Sequence, residues 1–135
     1  MKKLLVDTNI VIDLLAKRKD FYREAQELFT LADENEVKLH ISSLTFANTH
    51  YLLVKELNAD EARKVLIKLK LLVKILPLDE KILELALSSD FIDFEDAIQY
   101  YTALVNKLEI IITRNKKDFK TAKLPVLTAK EYLNR

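Results

Sequence analysis

Asp7, Asp93, Glu95, Asp96 and Asp118 stand where an apolar run gives way to a helical pattern or a loop, the kind of position from which an acidic active site is built. The clearest case is Leu4-Leu5-Val6-Asp7-Thr8-Asn9-Ile10-Val11-Ile12-Asp13, in which an acid closes a short strand and three polar side chains follow one another. Asp13 lies one helical turn beyond Asn9 on the same face. Asn48, the run Asp93, Glu95 and Asp96, and the run Thr113, Asn115 and Asp118 occupy comparable positions later in the chain. Hard divalent cations take such oxygen donors, often through only one or two carboxylates, and keep positions open for water and phosphate oxygens. The chemistry this implies is metal-assisted phosphodiester hydrolysis. Each acid also has a plain structural use. Asp7 and Asp93 suit helix N-caps, Asp96 sits in a first turn favoured by the helix dipole, and Asp118 suits a turn.

The elements that must position these residues alternate between strand and helix. Leu4–Val6, Val37–Ile41, Val73–Leu76, Glu109–Thr113 and Pro125–Leu127 read as strands. Helical patterns follow from Ile10, from about Asp20 to Glu34, from Ser42 or Ser43 to Lys55, from Ala59 to Leu72, from Asp79 to Ser88 and from Asp93 to Lys107. In the last of these, Phe94, Ala97, Ile98, Tyr101, Leu104 and Val105 are expected to face inward. Thr128-Ala129-Lys130-Glu131 matches a capping box for a final helical turn. The pattern predicts one α/β/α domain spanning 1–135, with a central, mainly parallel sheet of four or five strands. Right-handed connections then gather the helix starts, and the polar residues on them, at one sheet edge.

Composition narrows the classes of function. Half of the 135 residues are hydrophobic, enough for a core. Lys and Arg total 22 against 21 acids, so overall charge neither requires nor excludes nucleic acid. With no cysteine, thiolate metal sites, disulfides and a cysteine nucleophile are ruled out. With no glycine, phosphate cradles of the glycine-rich kind are ruled out too, and left-handed turns are expected at Asn35, Asn58 and Asn106. Met1-Lys2-Lys3 precedes only three apolar residues before Asp7, too few for a signal peptide, and no apolar run suits a membrane span; the expected location is cytoplasmic.

Local charge says more than the total. Arg114, Lys116, Lys117, Lys120 and Lys123 surround Asp118, where a phosphate backbone approaching the acids would meet them, although such runs are commonly solvated loops. His40 and His50 have no metal-ligand spacing and read as structural or surface residues. Tyr100 and Tyr101 fall on adjacent helix faces, one inward and one outward, rather than forming a base-stacking platform.

Taken together, Leu5-Val6-Asp7-Thr8-Asn9 with Leu14-Leu15, Ile41-Ser42-Ser43-Leu44-Thr45, Asp93-Phe94-Glu95-Asp96-Ala97, and Ile112-Thr113-Arg114-Asn115 with Asp118-Phe119 resemble the PIN-domain proteins of the VapC-like type. These are small metal-dependent ribonucleases that often serve as toxins of toxin-antitoxin pairs. The resemblance covers nearly the whole chain and implies an endoribonuclease using Mg²⁺ or Mn²⁺, with RNA as substrate and an antitoxin partner. It further implies that Asp7 and Asp96 are metal ligands, that Asn115 or Asp118 fills the last position, and that Asn9 and Thr113 orient the site. One position departs from the family. Where a second carboxylate is usual, this chain has Asn48, which offers a neutral oxygen and no charge. Glu95 would compensate if its side chain turned inward, but it lies about 100° around the helix from Asp96 and is expected at the surface.

Two other classes compete. A non-catalytic relative that binds RNA or protein is favoured by Asn48. A phosphotransfer domain also places Asp at a strand end, but the phosphatase pattern needs a second Asp where Asn9 stands, and the paired acid and late Lys of a receiver domain are missing. The apolar faces of the helices between residues 44 and 72 exceed what a core needs, which suits a homodimer or an antitoxin-binding groove.

Overall fold

The apolar runs become five strands and seven helices in the computed structural model, which describes residues 1–135. In order these are β1 (Lys2–Val6), α1 (Thr8–Leu15), α2 (Tyr22–Asp33), β2 (Val37–Ser42), α3 (Ser43–Glu56), α4 (Ala59–Leu69) and β3 (Val73–Leu76). They are followed by α5 (Glu80–Leu87), α6 (Phe94–Val105), β4 (Ile110–Ile112), a 3-10 turn at Lys116–Phe119, β5 (Val126–Leu127) and α7 (Ala129–Leu133). All strand pairs are parallel and the sheet order is β3-β2-β1-β4-β5.

A parallel sheet is covered on both faces, so its strands are apolar throughout rather than alternating with polar residues. Leu4, Val6, Leu39, Ile41, Ile110 and Ile112 face one layer of helices, where Val11, Leu28, Phe29, Leu53, Leu66 and Leu69 complete the larger core. Leu5 and Ile111 point the other way, against Tyr100, Ala103 and Phe119. Between α5 and α6, Ile82 and Ala86 pack on Ala97 and Ile98. The result is three layers around a buried sheet.

Local signals at the helix ends work largely as the sequence predicts. Ser42, Asp79 and Thr128 accept hydrogen bonds from backbone N–H groups three residues on, and Thr128 with Glu131 forms the full capping box. The left-handed positions are a partial correction. Asn35 has φ 59°, but the other two are Lys17 and Lys107, at 52° and 57°. Asn58 instead caps the start of α4, its side chain accepting from Glu61 N–H. Asn106 stays at φ −91° and its amide donates to Thr102 O, so the turn falls one residue later.

The inward face of α6 also differs from expectation. Ala97 and Ile98 are buried, but Phe94 and Leu104 are exposed, and Gln99, Tyr100, Thr102 and Ala103 are buried instead. The helix is wedged between the sheet and α5, so two of its sides are covered and a single apolar stripe does not describe it. No helix is long and apolar enough to cross a membrane.

Candidate active site

The chain runs β1, β2, β3 toward one edge of the sheet and then returns to place β4 on the other side of β1. Beyond the carboxyl ends of β1 and β4, where the order reverses, a doubly wound sheet opens a crevice. Asp7 leaves β1 at that point, and its N–H donates to Ile112 O of β4 at 2.9 Å. Thr113 leaves β4 beside it.

Asp7 is held from several directions. Oδ1 accepts from the Thr8 N–H at 2.8 Å as the cap of α1 and from Gln99 Nε2 at 3.3 Å, while Oδ2 accepts from the Thr113 hydroxyl at 2.7 Å. Thr113 Oγ1 accepts from Asn9 Nδ2 at 3.3 Å and from the Asn115 N–H at 3.1 Å, so its single proton is directed to Asp7. Burial raises the Asp7 carboxyl above its ordinary range, against the hydrogen bonds from Thr113, Thr8 and Gln99 that favour the anion.

Around Asp7 lies a cleft of about 620 Å³ that gathers Asn9, Asn48, Asp93, Glu95, Asp96, Gln99, Asn115 and Asp118. Asp93 caps α6 by accepting from the Asp96 N–H at 3.0 Å, which fixes Asp96 in the first turn. Asp118 comes from the 3-10 turn. Burial, reinforced by the charges of Asp93, Asp7, Asp118 and Glu95, pushes the Asp96 carboxyl up to about 7. Glu95 is exposed, as expected, and it also lines this cleft, where it accepts from Asn48 Nδ2 at 2.8 Å. The side chains of α3 and α6 meet there.

The cleft's acids form no ion pairs. Five carboxyls line it, and the two guanidiniums that reach it, Arg18 and Arg114, are bonded at 2.8 Å to Glu56 and Asp13 respectively, neither of which lines the cleft. All the donors are oxygen, the chemistry that Mg²⁺ and Mn²⁺ select. Gln99 is 3% exposed, yet its Oε1 has no hydrogen-bond partner, leaving an orphaned acceptor in the same lining. No three of the acids and histidines converge into a ready coordination cage. A cation that retains most of its waters needs only one or two carboxylates, so the donor set fits a hydrated divalent ion.

The basic residues divide. Arg114 donates to both carboxylate oxygens of buried Asp13, at 2.8 and 3.2 Å, and lies 4.0 Å over the Phe21 ring. A buried acid on α1 demands such a partner, so Asp13 serves an ion pair rather than the cleft. Lys116 is bonded to Glu131 at 3.0 Å. Lys117 and Lys120 have no acid partner and flank a hollow that also reaches Asp93, Asp96 and Asp118. His40 is buried with Nδ1 3.2 Å from Leu4 O, a structural position.

Gln99 and its neighbours were not legible beforehand. Gln99 Nε2 also donates to Thr45 Oγ1 at 2.6 Å, and Thr45 lies 2.9 Å from the Thr8 hydroxyl, so a buried polar chain joins β1, α3 and α6 beneath the cleft. The available signal was a lone amide between Ile98 and Tyr100, one turn beyond Asp96.

The PIN domain family profile matches residues 3–117. This chain belongs to the PIN-domain family. Its fold is similar to the toxin-antitoxin complex from Klebsiella pneumoniae, at 29% identity and a TM-score of 0.70, covering 93% of this chain and 97% of that one. It is also similar to DNA-bound VapBC from Salmonella typhimurium, at 20% identity and a TM-score of 0.72, covering 96% and 99%. Mycobacterium tuberculosis VapC20, described as a sarcin-ricin loop cleaving toxin, matches at 17% identity and a TM-score of 0.64, covering 80% and 86%. No curated protein matches the chain in sequence.

Proposed function

We propose that this protein is a divalent-metal-dependent endoribonuclease and the toxin of a toxin-antitoxin pair. The observation that carries the reading is the set of acids on three separate elements, Asp7 after β1, Asp96 on α6 and Asp118 after β4, lining one cleft with none of them in an ion pair. The likeness to toxin-antitoxin and VapBC complexes supports the biological role and an antitoxin partner.

Asp7, Asp96 and Asp118 would hold Mg²⁺ or Mn²⁺, with Asn48 and Asn115 as neutral oxygens beside them. When bound, such an ion supplies positive charge to the phosphate and lowers the pKa of water, making the attacking nucleophile available at neutral pH. Thr113 and Gln99 keep both oxygens of Asp7 in place, and Asn9 orients Thr113. Lys117 and Lys120 are free to receive backbone phosphates, whereas Arg114 and Lys116 are engaged in ion pairs. The site lies in a protein expected to work in the cytoplasm.

The Asn48 position favours a second reading, a PIN-family module that binds RNA without cutting it. Incubating labelled RNA with the wild type, Asp7→Asn and Asp96→Asn separates the two. The nuclease reading expects each variant to lose roughly two to three orders of magnitude in cleavage rate, the scale of removing one electrostatic stabiliser. Equal, background-level cleavage by all three proteins would leave only the binding reading.

A further inference from the structure

The missing second carboxylate has a candidate elsewhere in the cleft. Asn48 stands on α3 and Glu95 on α6, and the Asn48 amide donates to Glu95 Oε1 at 2.8 Å. An acid at position 48 would repel Glu95 across that distance, whereas an amide draws it in. Glu95 makes no other side-chain hydrogen bond and no ion pair, so its second oxygen has no protein partner. Both residues line the cleft that holds Asp7, Asp96 and Asp118, and neither guanidinium of that cleft pairs with Glu95. Buried Gln99 lines the same cleft, its Oε1 without a donor.

We infer that Glu95, held in place by Asn48, supplies the second carboxylate of the cation site. The charge is moved from α3 to α6 rather than lost. This rests on the metal-dependent reading proposed above and assigns roles within it: Glu95 as a ligand to the cation or its waters, and Asn48 as a positioning residue acting through Glu95. Partners that orient metal ligands in this way typically matter by about 10- to 100-fold in affinity.

The test is direct Mn²⁺ binding, read by the electron paramagnetic resonance signal of the free ion, on wild type, Glu95→Gln, Asn48→Ala, Asp7→Asn and the exchange Asn48→Asp with Glu95→Gln. Thermal unfolding in EDTA controls for folding. Glu95→Gln is expected to weaken Mn²⁺ binding at least tenfold, and Asn48→Ala to weaken it less. The exchange is expected to restore affinity, because it leaves an amide on α6 donating to a carboxylate on α3, with the charge on the other side of the same hydrogen bond. Wild-type affinity in Glu95→Gln, with binding lost in Asp7→Asn, overturns the role of Glu95 while leaving the nuclease reading intact. Failure of the exchange to restore binding overturns the equivalence of the two positions. A wild type that binds no Mn²⁺ overturns both.

Discussion

Asp96 is the residue on which pH should act most visibly. Its carboxyl is raised from an ordinary 3.8 to about 7 by burial and by Asp93, Asp7, Asp118 and Glu95. A folded-state pKa above the unfolded value means that the folded chain holds a proton the unfolded chain releases. Stability from this group is therefore present below its ordinary value and is lost as pH rises toward 7. In EDTA, Asp96→Asn should melt higher than the wild type at pH 8, and the gap should close toward pH 4. A cation has to displace the same proton, so Mn²⁺ should raise the melting temperature more at pH 8 than at pH 5.5. Thermal melts at these pH values check both. Asp7 was legible in the sequence because it ends a strand, Asp96 because it opens a helix and Asp118 because it follows the strand Ile110–Ile112. Gln99 was not, since its role depends on α6 being buried on two sides, a tertiary fact no local pattern carries.

Elements follow from short-range chemistry wherever the chain supplies a strong signal. Thr128 and Glu131 announce α7, and the apolar runs announce β1, β2 and β4. Turn positions were harder to read because the chain has no glycine to mark them. Lys17 and Lys107 adopt left-handed φ despite their side chains, a conformation costing a non-glycine residue about 1 kcal/mol. Replacing Lys107 with Gly should therefore be neutral or stabilising by up to about 1 kcal/mol, because relief of the strain is partly offset by glycine's extra freedom in the unfolded chain. Urea unfolding of Lys107→Gly checks this, and a destabilised variant would show that the Lys107 side chain contributes contacts. Asn58, by contrast, acts through its side chain; Asn58→Ala should cost about 1 kcal/mol in the same experiment.

At the scale of the molecule, the strand order β3-β2-β1-β4-β5 builds the cleft, because the reversal between β1 and β4 brings residues 106 apart in sequence, Asp7 and Thr113, into hydrogen-bond contact. Alternation of strands and helices made the parallel sheet predictable, and right-handed connections then fixed which edge collects the acids. The opposite problem, apolar surface with nothing on it, arises on α4 and just after it. Ile67 is 65% exposed and Leu71 84%. The homodimer expected from this surface should appear in light scattering at twice the 15.7 kDa of the chain, and Ile67→Glu with Leu71→Glu should leave a monomer. The cleft itself carries the central claim, that its acids recruit a divalent ion to hydrolyse RNA. Protein stripped with EDTA and titrated back with Mn²⁺ against end-labelled RNA tests this most directly. Cleavage that rises with Mn²⁺ in the wild type and stays flat in Asp7→Asn is the predicted result. Cleavage indifferent to Mn²⁺, or equal in the two proteins, would contradict it.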